Sequence, residues 1–414
     1  MRGFRDRRPV GEVLAILEAR TGALETERVP IAQSVGRVVA AEVLARVAVP
    51  HFARAAMDGY AIVADSIAEA SAGSPVELRV VGEVRAGGAD LPAIGRGEAV
   101  RITTGAPVPP GADCVLMAEK AEEVSDARAS HGAIVRVREP IPRGKHIGTI
   151  GEDVPAGSVI VRAGRRLRPQ DAGVLASAGV VEIAAVRRPT VRVLITGDEL
   201  LAPGEVPHGS RIVDTNSLVL SALAARDGAA TTIVERVRDD RDATRDALLR
   251  ATEDVILVSG GSSVGPEDHA PLVLAEIGEI TVHGVALRPA SPTGFGFLRP
   301  GDRSVPVFLL PGNPVSCLCA YELFAGPTLR ALGGRSREWP HRRRECTAAG
   351  PIPSEVGRTD YTRVQVIGDA VTALMTSGAS ILSSTTRADG VVLIPHESPG
   401  YAEGDRVTVF FYDD

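Results

Sequence analysis

The stretch that most constrains this chain runs from Asp254 to Asp268, DVILVSGGSSVGPED. Val255, Ile256, Leu257 and Val258 form a continuous apolar run, the pattern of a strand buried on both faces. The run breaks into Ser259-Gly260-Gly261-Ser262-Ser263-Val264-Gly265. Three glycines permit a sharp turn and a close approach of backbone to ligand. The serines add hydroxyls, and the freed N–H groups suit an anion. Glu267 and Asp268 close the loop, and a short helix is predicted to begin at His269. A strand end opening into such a loop is where open α/β sheets bind ligands; the alternative is a solvated strand-to-helix turn. The loop lacks the Gly-Lys-Ser/Thr ending of a P-loop and the spacing of GxGxxG.

The flanking sequence sets this strand in a parallel sheet. Strands are expected over 191–195, 230–234, 255–258, 280–286 and 305–310, with helices over 217–226, 240–251 and 315–332. Alternation of this kind implies a mainly parallel sheet covered by helices. Pro9–Ala19 has apolar residues at Val10, Val13, Leu14 and Leu17, an amphipathic helix opened by proline. A second helix is predicted over Ser34–Ala45, with Ser34 as its N-cap. Residues 50–145 change character: short β-like pieces at 76–84, 98–102, 114–117 and 134–137 are separated by Gly/Pro turns. A short helix is expected to end at Gly179. After a linker at 333–340 the chain is again β-like, at 361–367, 371–374, 390–394 and 406–411. The reading is multidomain α/β plus β: an elongated segment of residues 1–50 with 145–187, an inserted small β domain at 51–144, an α/β domain at 188–332 and a β barrel at 333–414.

Composition narrows the function classes. A chain of 414 residues is too long for one ordinary core, and roughly two to four domains are expected. The net charge of −6 argues against nucleic acid as partner, and the Arg342-Arg343-Arg344 run reads as solvated surface. No 18-residue apolar stretch is present, so no membrane span is expected. The N-terminus has charges but no apolar signal core, so a cytoplasmic protein is expected. The four cysteines form no CxxC pair and no zinc spacing; they are read as reduced structural thiols.

Four stretches place polar or acidic residues at strand ends or helix starts: Thr196-Gly197-Asp198-Glu199, Asp214-Thr215-Asn216, Ser259–Asp268 and Pro311–Ser316. In a doubly wound sheet they can converge at the carboxyl edge. That supplies helix N-termini and N–H groups for an anion, and carboxylates for a hard cation such as Mg²⁺. Asp214 and Asp268 can each equally serve as a helix N-cap. Outlying candidates are Ala56–Tyr60, Thr103–Pro107, Gly151–Asp153 and Gly357–Tyr361; each can also be a surface turn.

Met57-Asp58-Gly59-Tyr60, Thr104-Gly105-Ala106-Pro107-Val108-Pro109, Gly151-Glu152-Asp153, Thr196-Gly197-Asp198-Glu199-Leu200, Asp214-Thr215-Asn216, Ser259–Gly265 and Pro311-Gly312-Asn313-Pro314-Val315-Ser316 occur in one order along the chain. In that order they resemble the molybdopterin molybdenumtransferases, the MoeA type also found as the E domain of gephyrin. The resemblance covers nearly the whole chain. It implies the four-part architecture above, with a molybdopterin-binding α/β domain, and a homodimer in which the small β domain of one subunit approaches the α/β domain of the other.

The implied reaction is insertion of molybdate into adenylated molybdopterin, with Mg²⁺-dependent release of AMP and molybdenum cofactor. Asp214 and Asp268 match the family's metal-associated acids. Asp58, Thr104, Asp153 and Glu199 match its other activity-linked positions. Gly260, Gly261, Ser262, Ser263 and Gly265, with Pro311, Gly312, Asn313, Pro314 and Ser316, match its substrate loops. Arg358 and Ser380 match an oxyanion site, with Arg288 as a further cation. The adenylylating enzyme and apo-molybdoenzymes are implied partners.

One motif departs. The family commonly carries Lys-Pro-Gly-Lys-Pro; here the stretch is Arg288-Pro289-Ala290-Ser291-Pro292. Arg288 keeps a positive charge and Ser291 loses one. The competing functions are molybdopterin adenylylation and a non-enzymatic, pterin-binding scaffold or divergent paralogue.

Overall fold

Two strands of the larger unit are buried along their whole length, Val255–Ser259 and Val305–Leu310. Their unbroken apolar sequence is what a strand needs when helices cover both faces. They are central in a six-stranded sheet of order 231–237, 190–196, 255–259, 305–310, 294–298 and 279–283. The first four strands are parallel, and the strand Gly294–Leu298 is antiparallel to both its neighbours. The structure, a computed structural model, describes residues 7–124, 133–261 and 268–412. Arg28–Ala184 form one compact unit; Met1–Glu27 and Ala185–Asp414 form the other.

In the larger unit the helix Val10–Arg20 buries Val13 and Leu17 in the same cluster as Val193, Leu220, Phe295, Phe308 and Phe324. The helices Asn216–Arg226, Arg241–Arg250 and His269–Ile277 follow their strands as the sequence implies. The last helix differs in detail. It starts at Pro314 and carries a π turn at Tyr321–Ala325 before resuming at Gly326. Five strands, 359–367, 370–375, 343–348, 406–411 and 390–394, close into a barrel because the first also pairs with the last. Leu287–Arg288 adds to it in parallel, alongside Thr359–Asp360.

In the smaller unit a six-stranded sheet has the order 114–117, 59–62, 98–102, 76–84, 134–137 and 121–124. The helix expected over Ser34–Ala45 does not form. Ile31–Gln33 make a 3₁₀ turn, Gly36 has φ +81°, and Val43–Leu44 is a strand paired with Val159–Val161. The reason is where the N–H groups go: Gly36 donates to the Leu167 carbonyl, Val39 to Arg165 and Ala45 to Ser158. Long-range backbone pairing has overridden a local helical pattern in a β-branched segment. The four cysteines are free and buried. Among the described residues no helix is long and apolar enough to cross a membrane.

Candidate functional site

The parallel strands end at Thr196, Val237, Ser259 and Leu310, so their following loops share one edge of the sheet. There they wall a cavity of about 690 Å³. Of the residues singled out in sequence, Glu199, Asp214, Asp268, Gly260, Gly261, Pro311, Gly312, Asn313, Pro314 and Ser380 line it. Leu200, Ile212 and Val213 give it an apolar side, and Pro292 comes from the departing motif.

Close backbone packing builds this floor. Gly260 has φ +94°, and a Cβ there would stand 2.5 Å from the Thr196 carbonyl oxygen and 2.8 Å from its hydroxyl. A Cβ on Gly312 would lie 3.5 Å from Gly260 Cα. Asn216 ties the pieces together: its side-chain amide donates to Ser259 Oγ (2.9 Å) and to the Gly312 carbonyl (2.8 Å). On the barrel side, Ser380 Oγ donates to Asn313 Oδ1 at 2.8 Å, and Val315 N–H to the Ala379 carbonyl at 2.9 Å.

Asp214 divides its two oxygens. Oδ1 accepts from Ser217 N–H at 3.0 Å, the helix-capping role. Oδ2 is buried with no hydrogen-bond partner among the described residues, its nearest cation being Arg236 at 4.0 Å. Asp268 stands at the start of the helix His269–Ile277 without a side-chain cap hydrogen bond. Among the described residues no three Asp, Glu, His or Cys side chains form a ready metal cage. That is compatible with Mg²⁺, which keeps several waters and takes one or two carboxylates plus substrate phosphates.

Two residues escaped the sequence reading. Asp239 follows the strand Thr231–Val237 and lines the cavity. Burial raises its carboxyl pKa, reinforced by Asp198, Glu199 and Asp268 and opposed by His269. The signal was present in Arg238-Asp239-Asp240, an acid pair at a strand end, but the sequence reading took only the helix that follows it from Asp240. The other is Arg363, fully buried in the barrel and, like Arg288 and Arg358, outside the cavity wall, with Nε and Nη1 unpartnered among the described residues. Its Nη2 donates to the Ser377 carbonyl, in the loop that carries Ser380. Desolvation lowers its pKa.

The remaining candidates lie elsewhere. Arg288 forms a forked pair with Asp360; Arg358 pairs with Glu355 and lies 3.6 Å from the same Asp360. Neither is in the cavity wall, and their charges are already matched. Ser316 is buried inside its helix. Ser262, Ser263 and Gly265 fall outside the described residues. In the smaller unit, Asp58 Oδ1 accepts from Thr104 N–H (2.6 Å) and Thr104 Oγ (2.9 Å), which holds its carboxyl pKa below the usual value. Asp153 donates its N–H to the Val49 carbonyl, and its neighbour Glu152 pairs with Arg54.

Models of three regions match the chain in order: the MoeA N-terminal region, domains I and II, over residues 8–179; a probable molybdopterin binding domain over 192–331; and the MoeA C-terminal region, domain IV, over 345–412. A putative molybdopterin biosynthesis protein of Methanocaldococcus jannaschii is 32% identical over 396 residues, covering 93% of this chain and 92% of that one. This chain belongs to the MoeA family. Among MoeA relatives, molybdopterin molybdenumtransferase 2 of Mycobacterium tuberculosis is 32% identical over 397 residues, covering 92% and 94% of the two chains. A crystal structure of the MoeA protein from Pyrococcus horikoshii superposes with a TM-score of 0.82 at 31% identity, covering 99% of this chain and all of that one. The MoeA architecture, an α/β domain with a closed five-stranded barrel, is the one described above.

Proposed function

We propose that this chain inserts molybdate into adenylated molybdopterin, releasing AMP and yielding molybdenum cofactor. The observation that carries the reading is Asp214 Oδ2, a buried carboxylate oxygen without a hydrogen-bond partner among the described residues, in a cavity walled by glycine-rich strand ends. Such an atom is costly unless a cation or donor meets it. Asp214 and Asp268 would hold Mg²⁺, which supplies charge neutralisation and Lewis-acid polarisation of phosphate oxygens. Gly260, Gly261 and Gly312 let backbone approach the phosphates, while Leu200, Ile212 and Val213 give a flat ring an apolar wall. Glu199 and Asp239, which line the cavity, would hold or take a proton. Arg363, a cation with open donors, suits a tetrahedral dianion better than Arg288 or Arg358, which already face Asp360. The chain works as a homodimer in which Asp58 and Thr104 of one copy complete the cavity of the other, and it passes its product to apo-molybdoenzymes.

The test is AMP release from adenylated molybdopterin with Mg²⁺ as molybdate is titrated. Molybdate-dependent release is expected, and Asp268→Asn should depress it while pterin binding persists. Formation of adenylated product from molybdopterin and Mg·ATP, without a partner enzyme, would replace this reading with adenylylation. The engagement of Arg288 and Arg358 with Asp360 favours a second reading, a pterin-binding scaffold; pterin binding without AMP release would establish it.

A further inference from the structure

We propose that Arg236 is the resting counter-charge of Asp214 and sets how tightly the cavity takes a divalent cation. The inference rests on the reading of Asp214 as a cation ligand. Asp214 is only 2% exposed, so its charge is largely cut off from water. One oxygen is satisfied by Ser217 N–H; the other has no hydrogen bond among the described residues. The guanidinium of Arg236 stands 4.0 Å from that second oxygen, too far for a hydrogen bond and near enough for charge attraction. It does not collapse onto the carboxylate because the same Nη2 donates to the Leu201 carbonyl at 3.2 Å. Leu201 belongs to the short strand paired with Ile212–Val213, immediately before Asp214.

The guanidinium is therefore fixed by backbone at a distance that steadies the empty carboxylate yet leaves its oxygen open. A divalent cation reaching that oxygen meets a fixed positive charge close by. Arg236 is itself partly exposed, so a water-like dielectric applies to it; at a separation of ~6 Å the repulsion then corresponds to about tenfold in affinity, and salt reduces it to roughly three- to tenfold. Arg236 thus acts through Asp214 as a positioning residue, and the cavity is tuned to take its cation together with the anionic substrate rather than before it.

Mn²⁺ titrated into the full-length, metal-free protein, followed by calorimetry and by water proton relaxation, tests this. Arg236→Gln should tighten Mn²⁺ binding roughly three- to tenfold. Arg236→Met, which keeps the apolar stem, should do the same, and Arg236→Lys should resemble the unaltered chain. Asp214→Asn should weaken binding. Equal Mn²⁺ affinity with and without the arginine charge, while Asp214→Asn weakens it, overturns the role of Arg236 alone. Unchanged affinity in Asp214→Asn removes the cation reading of Asp214 and the inference with it.

Discussion

Arg288 and Asp360 meet as a forked ion pair: Nε donates to Oδ1 at 2.8 Å and Nη2 to Oδ2, with Asp360 wholly buried. Ser354 Oγ adds a hydrogen bond to Oδ2 at 2.6 Å. Arg288 lies on the strand the α/β domain lends to the barrel, so the pair fastens two layers of the larger unit. Asp360→Asn leaves the shape and removes the charge that neutralises a largely buried arginine. It should cost about 3 kcal/mol in denaturant unfolding; a change within ~0.5 kcal/mol would show that the pair contributes no net stability.

Arg363 presents the opposite case, a buried guanidinium with no acid paired to it among the described residues. A charge kept in this state destabilises the fold, and such cost is often retained for function. Arg363→Met should raise thermal stability by about 1 kcal/mol, while molybdate-dependent AMP release falls at least about tenfold and pterin binding is kept. Loss of stability together with normal turnover would make Arg363 a structural residue, anchoring the Ser377 loop.

Gly260 is the tightest point of the cavity floor, with its positive φ and the Thr196 carbonyl 2.5 Å from where a Cβ would be. Gly260→Ala should destabilise the larger unit by about 2 kcal/mol and displace the backbone proposed to face the phosphates. Unfolding curves and AMP release should both be affected; a silent substitution would mean the loop relaxes freely.

Ala290 occupies the place where the family motif commonly has glycine, and its φ is +97°. Side-chain-bearing residues seldom adopt this conformation, and hydrogen bonds from Thr293 N–H (3.0 Å) and Oγ (2.7 Å) to its carbonyl hold the turn. Ala290→Gly should stabilise by about 1 kcal/mol. If the melting temperature falls instead, the entropy of the unfolded glycine outweighs the relief.

Arg20 joins the first helix to the strand Glu279–His283: it pairs with both oxygens of Glu279 and lies 3.8 Å over the Phe297 ring. The arginine hydrogen bond is the main reason the Glu279 carboxyl falls from 4.5 to about 2. A depressed carboxyl stabilises above its unfolded pKa, so this contribution is full above about pH 4.5 and disappears as pH falls towards about 2. Because Glu279 is partly exposed, the pair contributes only about 1 kcal/mol. Arg20→Gln should flatten that part of the acid limb in pH-dependent unfolding; an unchanged limb would assign the acid sensitivity to other carboxylates.

Much of the site was legible because its signals are local. Apolar runs ending in glycine name strand ends, and the Asp214 and Gly312 segments announce helix starts; the sheet then gathers them at one edge. What was not legible depends on long-range pairing. Nothing adjacent to Arg363 reveals that its donors lack an acid. Nothing adjacent to Arg288 reveals that Asp360, far along the chain, occupies it. The Ser34–Ala45 segment failed as a helix for the same reason, since its N–H groups answer to Ser158, Arg165 and Leu167. Asp239 was missed for a different reason: it lies between the strand and the helix expected from Asp240, and neither element singled it out.

The cluster joining Val13 and Leu17 to Phe295, Phe308 and Phe324 has a consequence for biosynthesis. The first helix leaves the ribosome with its apolar stripe bare, and the side chains that cover it are translated almost 300 residues later. At ~5–20 residues per second that interval is some tens of seconds. For that time the nascent chain shows a ready-made site to chaperones and to neighbouring nascent chains, and polar substitutions at Val13 or Leu17 would trade safer synthesis for a weaker finished core.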